Sequence, residues 1–568
     1  MKTSTDVIYS VKFWLVVIVL VGGFLRFQKL DWGGGFFFHP DERNIASSIS
    51  SLRFPGNMNP GFFAYGSFPI YLNFFLQKLL GRFGIFLGDS SFSEAIMLGR
   101  LLSAVTSTAN ILFAYVVGKR LFSERVGIFC AFLTTVTVGF IQYAHFATFE
   151  TFLAFLYLLL FFVSAGVIKR NGLTDWLALG LVFGFSVSIK ITSLLLAGVY
   201  PFVLYRVLQR CISKRRILRT IFSAILSLFL AALIFIVTNP YSLLDFSSFR
   251  TAITVESGIA RGIIPIFYTQ QFSDTPAFLF YFLRVFPWIG GLGLTLLLPF
   301  SVIWGCWLWK RGQAIVGLLL VLLLPHFVFN SFLFVKWTRY MIPLLPFFLV
   351  LVSLMLDRII LFRPHRFFWS LQIGFVSVVI ALSVLWAFAF EQIYTGSDPR
   401  VAASVWAERH LGQSSKILSE TYDLGVLPFN DRFAQNITLF NFYDLAALPT
   451  TDERLQQLAT LLEKSDYIIL PSRRVWKNTF DHPQRYPLRY SFYSTLFDGS
   501  LGFTKIKEFS SPPKLLGYTI DDNAAEETFQ VFDHPTLVIF KKQLSMTADV
   551  YGSLIRNLKP PLTSEKND

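Results

Sequence analysis

The feature that most constrains this chain is a series of long apolar runs that recurs from residue 11 to residue 390. A helix needs about 20 apolar residues to cross the hydrocarbon core of a bilayer. Eleven stretches approach that length: 11–30, 95–118, 126–144, 149–168, 174–190, 192–208, 217–238, 286–309, 313–334, 339–358 and 368–390. They predict a polytopic α-helical membrane protein with about eleven transmembrane helices over residues 1–392. The pair 174–190 and 192–208 invites a different division, and 278–285 offers an extension of the eighth span. Beyond residue 392 the pattern changes. Short β-branched or aromatic stretches (Asp466–Leu470, Thr536–Phe540) alternate with polar helical ones (Asp398–His410, Asp452–Lys464), so 393–568 reads as a soluble α/β domain. The charged fraction, 15% overall, falls short of the roughly 25% of soluble proteins because the first part is depleted. The first apolar run lacks a small-residue cleavage site and reads as a span, not a removed signal.

A net charge of +15 does not here mean nucleic acid. The basic residues fall in short clusters between apolar runs, as membrane topology requires, and no basic face carries stacking aromatics. With the N-terminus in the cytoplasm, the inside segments hold Lys2 and Lys12; Lys119, Arg120 and Arg125; Lys169 and Arg170; Arg206, Arg210, Lys214, Arg215, Arg216 and Arg219; Lys310 and Arg311; and Arg358, Arg363 and Arg366. The opposite orientation would carry all of them across the membrane. An odd number of spans then places the C-terminal domain outside. Large outer loops follow at about 31–94 and 239–285, with a short one near Asn330–Arg339. Residues 68–87 are apolar but interrupted by Gln77, Lys78 and Arg82, which suits an interfacial helix. Cys130, Cys211 and Cys306 all lie in the membrane part with no zinc-ligand spacing.

The first outer loop carries Phe38-His39-Pro40-Asp41-Glu42-Arg43, just after Asp31-Trp32-Gly33-Gly34-Gly35. The glycines permit a turn. Pro40 suits the opening position of a helix, and Asp41 and Glu42 then sit in its first turn, where the helix dipole favours them. A capped helix beside the membrane accounts for such a pair. So does a catalytic carboxylate, because a sugar hydroxyl is a weak nucleophile until a positioned base takes its proton. Neighbouring helical residues point about 100° apart, so one proton is served by one of them. Asp41 is the expected base and Glu42 an orienting or metal-contacting partner. His39 reads as a ligand, a hydrogen-bond partner or a structural residue.

Some cations break the charge rule. Arg43, Arg100, Lys190, Arg250, Arg261, Arg284, Lys336 and Arg339 fall outside or at outer helix ends. Several need be no more than solvated or snorkelling side chains. Lys190, in Ser186-Val187-Ser188-Ile189-Lys190, and Arg339, in Lys336-Trp337-Thr338-Arg339-Tyr340, are placed to meet a phosphate. Arginine offers it a fork and lysine a point charge.

Taken in order, several segments resemble the polyprenyl- or dolichyl-phosphate-sugar-dependent glycosyltransferases of the GT-C fold, a superfamily that includes protein O-mannosyltransferases and the aminoarabinose transferases of lipid A. They are His39-Pro40-Asp41-Glu42, Tyr65-Gly66-Ser67-Phe68-Pro69-Ile70-Tyr71-Leu72, Gly99-Arg100-Leu101-Leu102-Ser103, His145-Phe146-Ala147-Thr148-Phe149-Glu150-Thr151, Lys190-Ile191-Thr192, Asn239-Pro240-Tyr241 and Arg339-Tyr340-Met341-Ile342-Pro343. Each is short, and their order and topology carry the likeness. The resemblance implies an inverting transfer in which an acceptor hydroxyl attacks the anomeric carbon as polyprenyl phosphate leaves. It carries the catalytic acidic residue to Asp41, with Glu42 beside it, and the phosphate contacts to Lys190 and Arg339. Tyr340, Arg43 and Arg100 complete the expected donor-binding set. His39, Tyr65, His145, Glu150, Tyr241 and Glu256 are expected sugar or acceptor contacts. Many such enzymes need no metal, so no metal ligands are assigned and a divalent ion is left open. The implied partners are a lipid-linked sugar, a lipid, glycan or protein acceptor and the membrane, with no nucleic acid; the implied location is the plasma (inner) membrane. Phe532-Asp533-His534-Pro535 reads as a turn before a final strand. A transporter or flippase, or a non-catalytic envelope assembly protein, would share the spans. A transporter would place its ionisable groups near the bilayer midplane, and an assembly protein would not need the acidic pair.

Overall fold

The computed structural model describes residues 11–85, 91–362, 366–420, 431–446 and 451–558; Lys2 and Arg363 of the charge pattern lie outside them. Every apolar run forms helix. The main helices of the first part are α1 (Val11–Phe27), α2 (Pro40–Ser51), α3 (Phe68–Gly81), α4 (Phe92–Leu121), α5 (Glu124–Val136), α6 (Val138–Gln142), α7 (Glu150–Arg170), α8 (Leu173–Ile189), α9 (Val199–Leu208), α10 (Lys214–Thr238), α11 (Phe246–Ala260), α12 (Leu292–Lys310), α13 (Ala314–Phe332), α14 (Leu345–Leu361) and α15 (Arg366–Thr395). Their starts follow from local chemistry. Ser91, Ser123 and Ser213 each accept a hydrogen bond from a backbone N–H in the first turn of α4, α5 and α10, satisfying a donor that the helix itself leaves orphaned.

Among the described residues, eight helical segments are long and apolar enough to cross a membrane. The other three expected spans are shorter or interrupted. Helix α1 has 17 described residues, α8 has 17, and the run 126–144 is broken at Thr137 into α5 and α6. The division at Lys190 is real: α8 ends there and a 3₁₀ segment, Ile191–Gly198, leads into α9. Residues 278–285 do not extend the eighth span, because Gly291, at φ +80°, interrupts the chain before α12. Helix α3 buries Ile70, Asn73, Phe74 and Gln77 and exposes Phe75 and Leu79, an apolar edge consistent with an interfacial helix.

Among the described residues, the C-terminal part builds a five-stranded mixed sheet. Strands β1 (Ile417–Glu420), β2 (Ile437–Phe440), β3 (Tyr467–Leu470), β4 (Phe503–Phe509) and β7 (Leu537–Lys542) are ordered β2-β1-β3-β7-β4, and a separate small hairpin is formed by β5 (Lys514–Leu515) and β6 (Tyr518–Thr519). Pairing is parallel at β1–β2 and β1–β3 and antiparallel at β3–β7 and β7–β4. Successive strand residues face opposite sides. Ile417, Ile469, Leu537 and Ile539 therefore pack with Ala403 and Ala407 of α16 (Pro399–His410) on one face. Leu418, Ile468, Leu470, Val538 and Phe540 pack with Leu455, Leu458 and Leu462 of α17 (Thr451–Lys464) on the other. The domain is tied to the bundle by backbone and side-chain bonds. Glu526 N–H donates to Arg284 O at 2.8 Å, and Thr338 N–H and Oγ1–H donate to Glu526 Oε2 at 3.1 and 2.8 Å.

Candidate active site

The site starts with a turn. Gly33, Gly34 and Gly35 all have positive φ, at 87°, 61° and 87°, a conformation glycine adopts without steric cost. The chain then enters α2 at Pro40. His39 caps that helix, its Nδ1 accepting from Asp41 N–H at 3.2 Å. The ring must be unprotonated at Nδ1 to do so. Burial supplies this, holding His39 below its ordinary pKa against the pull of Asp41, Glu42 and Glu150.

The two carboxylates then part. Glu42 turns inward and is fully buried against Arg100, with Arg100 Nε and Nη2 donating to its two oxygens at 2.9 and 2.8 Å. Glu42 Oε1 also accepts from Ala147 N–H at 2.6 Å, and Arg100 Nη1 donates to the Leu30 and Trp32 carbonyls. This corrects two expectations. Arg100 is buried and bonded in the interior, away from the cleft, and Glu42 is buried with it, both oxygens bonded to Arg100 and one also to backbone.

Asp41 stays at the surface of a cleft. Its side chain is 23% exposed and that of Arg339 27%. Arg339 Nη1 and the Tyr65 hydroxyl donate to Asp41 Oδ2 at 2.6 and 2.9 Å, and Arg339 Nη1 also lies 3.0 Å from the Tyr65 hydroxyl. Among the described residues Asp41 Oδ1 has no hydrogen-bond donor. Burial acts to raise the Asp41 pKa, but Arg339, then His39, the Tyr65 hydroxyl and Lys190, outweigh it and hold the carboxyl below its usual range.

Lys190 joins this group through a close backbone approach. Gly66 N–H donates to Ile189 O at 2.9 Å, and a Cβ on Gly66 would stand 1.8 Å from Ser188 O. Only glycine fits there. The contact brings Tyr65 alongside Lys190, whose ammonium lies 6.0 Å from the Tyr65 ring centroid and 5.1 Å from that of Tyr340. Beneath them is Glu150, in the first turn of α7, 2% exposed and with neither oxygen hydrogen-bonded. It is the largest attractive charge acting on Lys190 and also acts on Arg339 and Tyr65. Glu256 on α11 is exposed, within electrostatic reach of Lys190, Arg339 and Asp41.

Asp41, Tyr65, Lys190, Arg339 and Tyr340 thus converge, with Glu150 below and Glu256 at the rim. Besides Glu42 and Arg100, three expected residues do not join them. His145 is buried, both ring nitrogens bonded to the Ile141 and Gln28 carbonyls and the ring stacked 3.9 Å from that of Tyr394. Arg43 is exposed on α2. Tyr241 opens the short helix Tyr241–Leu244 and interacts with Tyr71 instead. Among the described residues no three His, Cys, Asp or Glu side chains form a metal-ligating group.

Residues 82–241 match the family model described as dolichyl-phosphate-mannose-protein mannosyltransferase. No match is found among curated protein sequences. The fold is similar to that of the Archaeoglobus fulgidus oligosaccharyltransferase tethered to an acceptor peptide with the NVT sequon, at 13% identity and a TM-score of 0.50 over 93% of this chain and 88% of that one. ArnT from Cupriavidus metallidurans bound to undecaprenyl phosphate aligns at 13% identity with a TM-score of 0.43, over 92% of this chain and 97% of that one. The family match over residues 82–241 thus falls within a multi-span fold that is similar to that of the oligosaccharyltransferase along nearly the whole chain.

Proposed function

We propose that the protein transfers a sugar from a polyprenyl-phosphate carrier to an acceptor hydroxyl, inverting the anomeric carbon, at the extracytoplasmic face of the plasma membrane. The observation that carries this reading is the contact between Asp41 and Arg339, a carboxylate and a guanidinium from distant parts of the chain that meet in a half-open cleft beside Lys190. A pair serving structure alone is expected to have its polar atoms closed off by hydrogen bonds, as those of Glu42 and Arg100 are.

The arrangement suits an exchange of partners. The donor is a phosphodiester with one negative charge, and its phosphate competes with Asp41 for Arg339. In-line displacement puts the attacking and leaving oxygens on opposite sides of the anomeric carbon, so a seated sugar must part the pair. Once Arg339 turns to the phosphate, Asp41 loses its strongest stabilising neighbour while its burial persists. Its pKa then rises and it becomes a better base, with Oδ1 facing the acceptor. As the glycosidic bond breaks, a second charge develops on the phosphate. Arg339 and Lys190 stabilise it most at that moment, which lowers the barrier instead of merely tightening binding. Tyr65 and Tyr340 wall the cleft, and Glu150 supplies the buried counter-charge that keeps Lys190 and Arg339 together before the donor arrives.

Charge at the helix ends supports the orientation. Helix α7 starts at Glu150 beside the cleft and ends in Lys169 and Arg170, about 30 Å away at 1.5 Å per residue. Cationic ends belong on the cytoplasmic side, which leaves the cleft and the C-terminal domain outside and the N-terminus inside. The acceptor class stays a lipid, glycan or protein hydroxyl. The test is turnover of radiolabelled polyprenyl-phosphate sugars by the purified protein in its native lipid extract. Release of polyprenyl phosphate with a glycoside of the opposite anomeric configuration is expected. Retention would overturn the one-step mechanism, and no transfer from any lipid-phosphate donor would overturn the reading.

A further inference from the structure

The turn that precedes the last strand of the C-terminal domain reaches into the catalytic region. Phe532 lies against His39, ring centroids 4.2 Å apart, and Phe146 packs on His39 from a second direction at 4.7 Å, its ring 6.4 Å from that of Phe532. Beside it the Arg400 guanidinium, from α16, stands 3.7 Å from the Phe38 ring centroid and donates to Phe532 O at 2.7 Å. Arg400 is itself fixed by Asp398 at 2.6 Å, both side chains almost fully buried.

We propose that this Phe532–His534 turn is a positioning element for Asp41: with Arg400 it clamps Phe38 and His39, the residues that set where α2 begins and so where its first-turn carboxylate points. The inference rests on Asp41 being the base. His39 is the N-cap, and its ring accepts the Asp41 N–H. Packing that ring against two phenyl rings, which also touch each other, fixes the first turn of the helix. Phe532 does not reach the reacting atoms; it acts through His39.

A plain turn would not need the anchoring found here. His534 is fully buried between two carboxylates, Nδ1 on Asp533 and Nε2 on Asp522 at 2.6 Å. Asp533 Oδ2 accepts from Tyr394 at 2.8 Å and from Gln142 at 3.1 Å. Gln142 also donates to Phe529 O at 2.7 Å. Tyr394 and Gln142 belong to α15 and α6, so the turn is bolted to the bundle and not only to its own domain. The same network leads back to the loop before α7, since Tyr394 stacks on His145. The C-terminal domain thereby holds the catalytic helix from above. A misplacement of about 1 Å in a catalytic group can cost about 100-fold in rate, which is the scale on which this clamp matters.

The experiment uses the full-length protein in detergent and compares wild type, Phe532→Ala, Phe532→Tyr and Asp41→Asn. Hydrogen exchange is followed in peptides covering 38–46 and in β3 and β7, and transfer is measured with radiolabelled polyprenyl-phosphate sugars. For Phe532→Ala, exchange at 38–46 should quicken about tenfold with β3 and β7 unchanged. Its kcat should fall about 10- to 100-fold with little change in donor KM. Phe532→Tyr keeps the ring and should restore both. Unchanged exchange at 38–46 overturns the clamp. Loss of protection in β3 and β7 as well also overturns it, since Phe532 would then merely hold its own domain together. Transfer retained in Asp41→Asn overturns the base reading instead, leaving the exchange data to decide the clamp.

Discussion

Helix α2 presents two carboxylates one residue apart, and each meets an arginine from another part of the chain. Glu42 and Arg100 are 0% exposed and satisfy each other with two parallel bonds, with further bonds to backbone. Asp41 and Arg339 share one oxygen, remain about a quarter exposed and have Lys190 and two tyrosines for neighbours. The chemistry of the pairs is the same, and their surroundings differ. A buried, fully bonded pair cannot exchange partners without exposing a bare charge to the interior, so it acts as architecture. A half-open pair with an oxygen to spare can let one partner go to a ligand. Helical geometry creates the difference, since adjacent first-turn residues point about 100° apart.

The largest expected effect that would break this contrast is on stability. Glu42→Gln leaves Arg100 buried without its counter-charge, which should cost about 3–5 kcal/mol. A thermal unfolding curve matching the wild type would mean that the interior pair is not architecture. Arg339→Lys keeps the charge but loses the planar fork, so kcat should fall about tenfold, while its melting temperature stays near that of the wild type. Equal losses of stability in the two variants would erase the distinction. The smallest and most informative effect is on pH dependence. In the free enzyme Arg339 and its neighbours hold Asp41 below the ordinary carboxylate range, so kcat/KM should fall only when pH drops below that range. If Arg339 turns to the phosphate in the donor complex, as proposed, the Asp41 pKa rises there. The acid limb of kcat should therefore lie at higher pH than that of kcat/KM. Coincident limbs would contradict partner exchange.

How much of this was legible in the sequence follows from how far each interaction reaches. The helices could be read because length and hydropathy are local. So could the opening of α2 at Pro40 and the strands at 467–470 and 537–542. The break at Gly291 is hidden inside an apolar run, where hydropathy averages over the interruption. The His39 cap escaped because the usual capping residues are Ser, Thr, Asp and Asn; a buried histidine can take that role only when packing keeps it neutral. Arg100 was counted among the stray cations because a charge rule sees position and not partner. Glu150 was expected as a sugar or acceptor contact, and nothing local says that its oxygens are buried without partners. The Phe532–His39 contact joins opposite ends of the chain, and the turn around Phe532 carries no sign of it. Arg339 and Lys190 were singled out because cations on the expected outer side need a reason, and the structure brings both beside Tyr65 and Tyr340 near Asp41.

The measurement that bears most directly on the central claim is transfer by Asp41→Asn, assayed in membranes with radiolabelled polyprenyl-phosphate sugar at matched amounts of folded protein. Asparagine preserves the size of the side chain and keeps a hydrogen-bond acceptor for Tyr65 and Arg339, but it cannot take a proton. The account predicts a fall of about 10²- to 10⁴-fold in kcat with native stability. Undiminished transfer by that variant would contradict it.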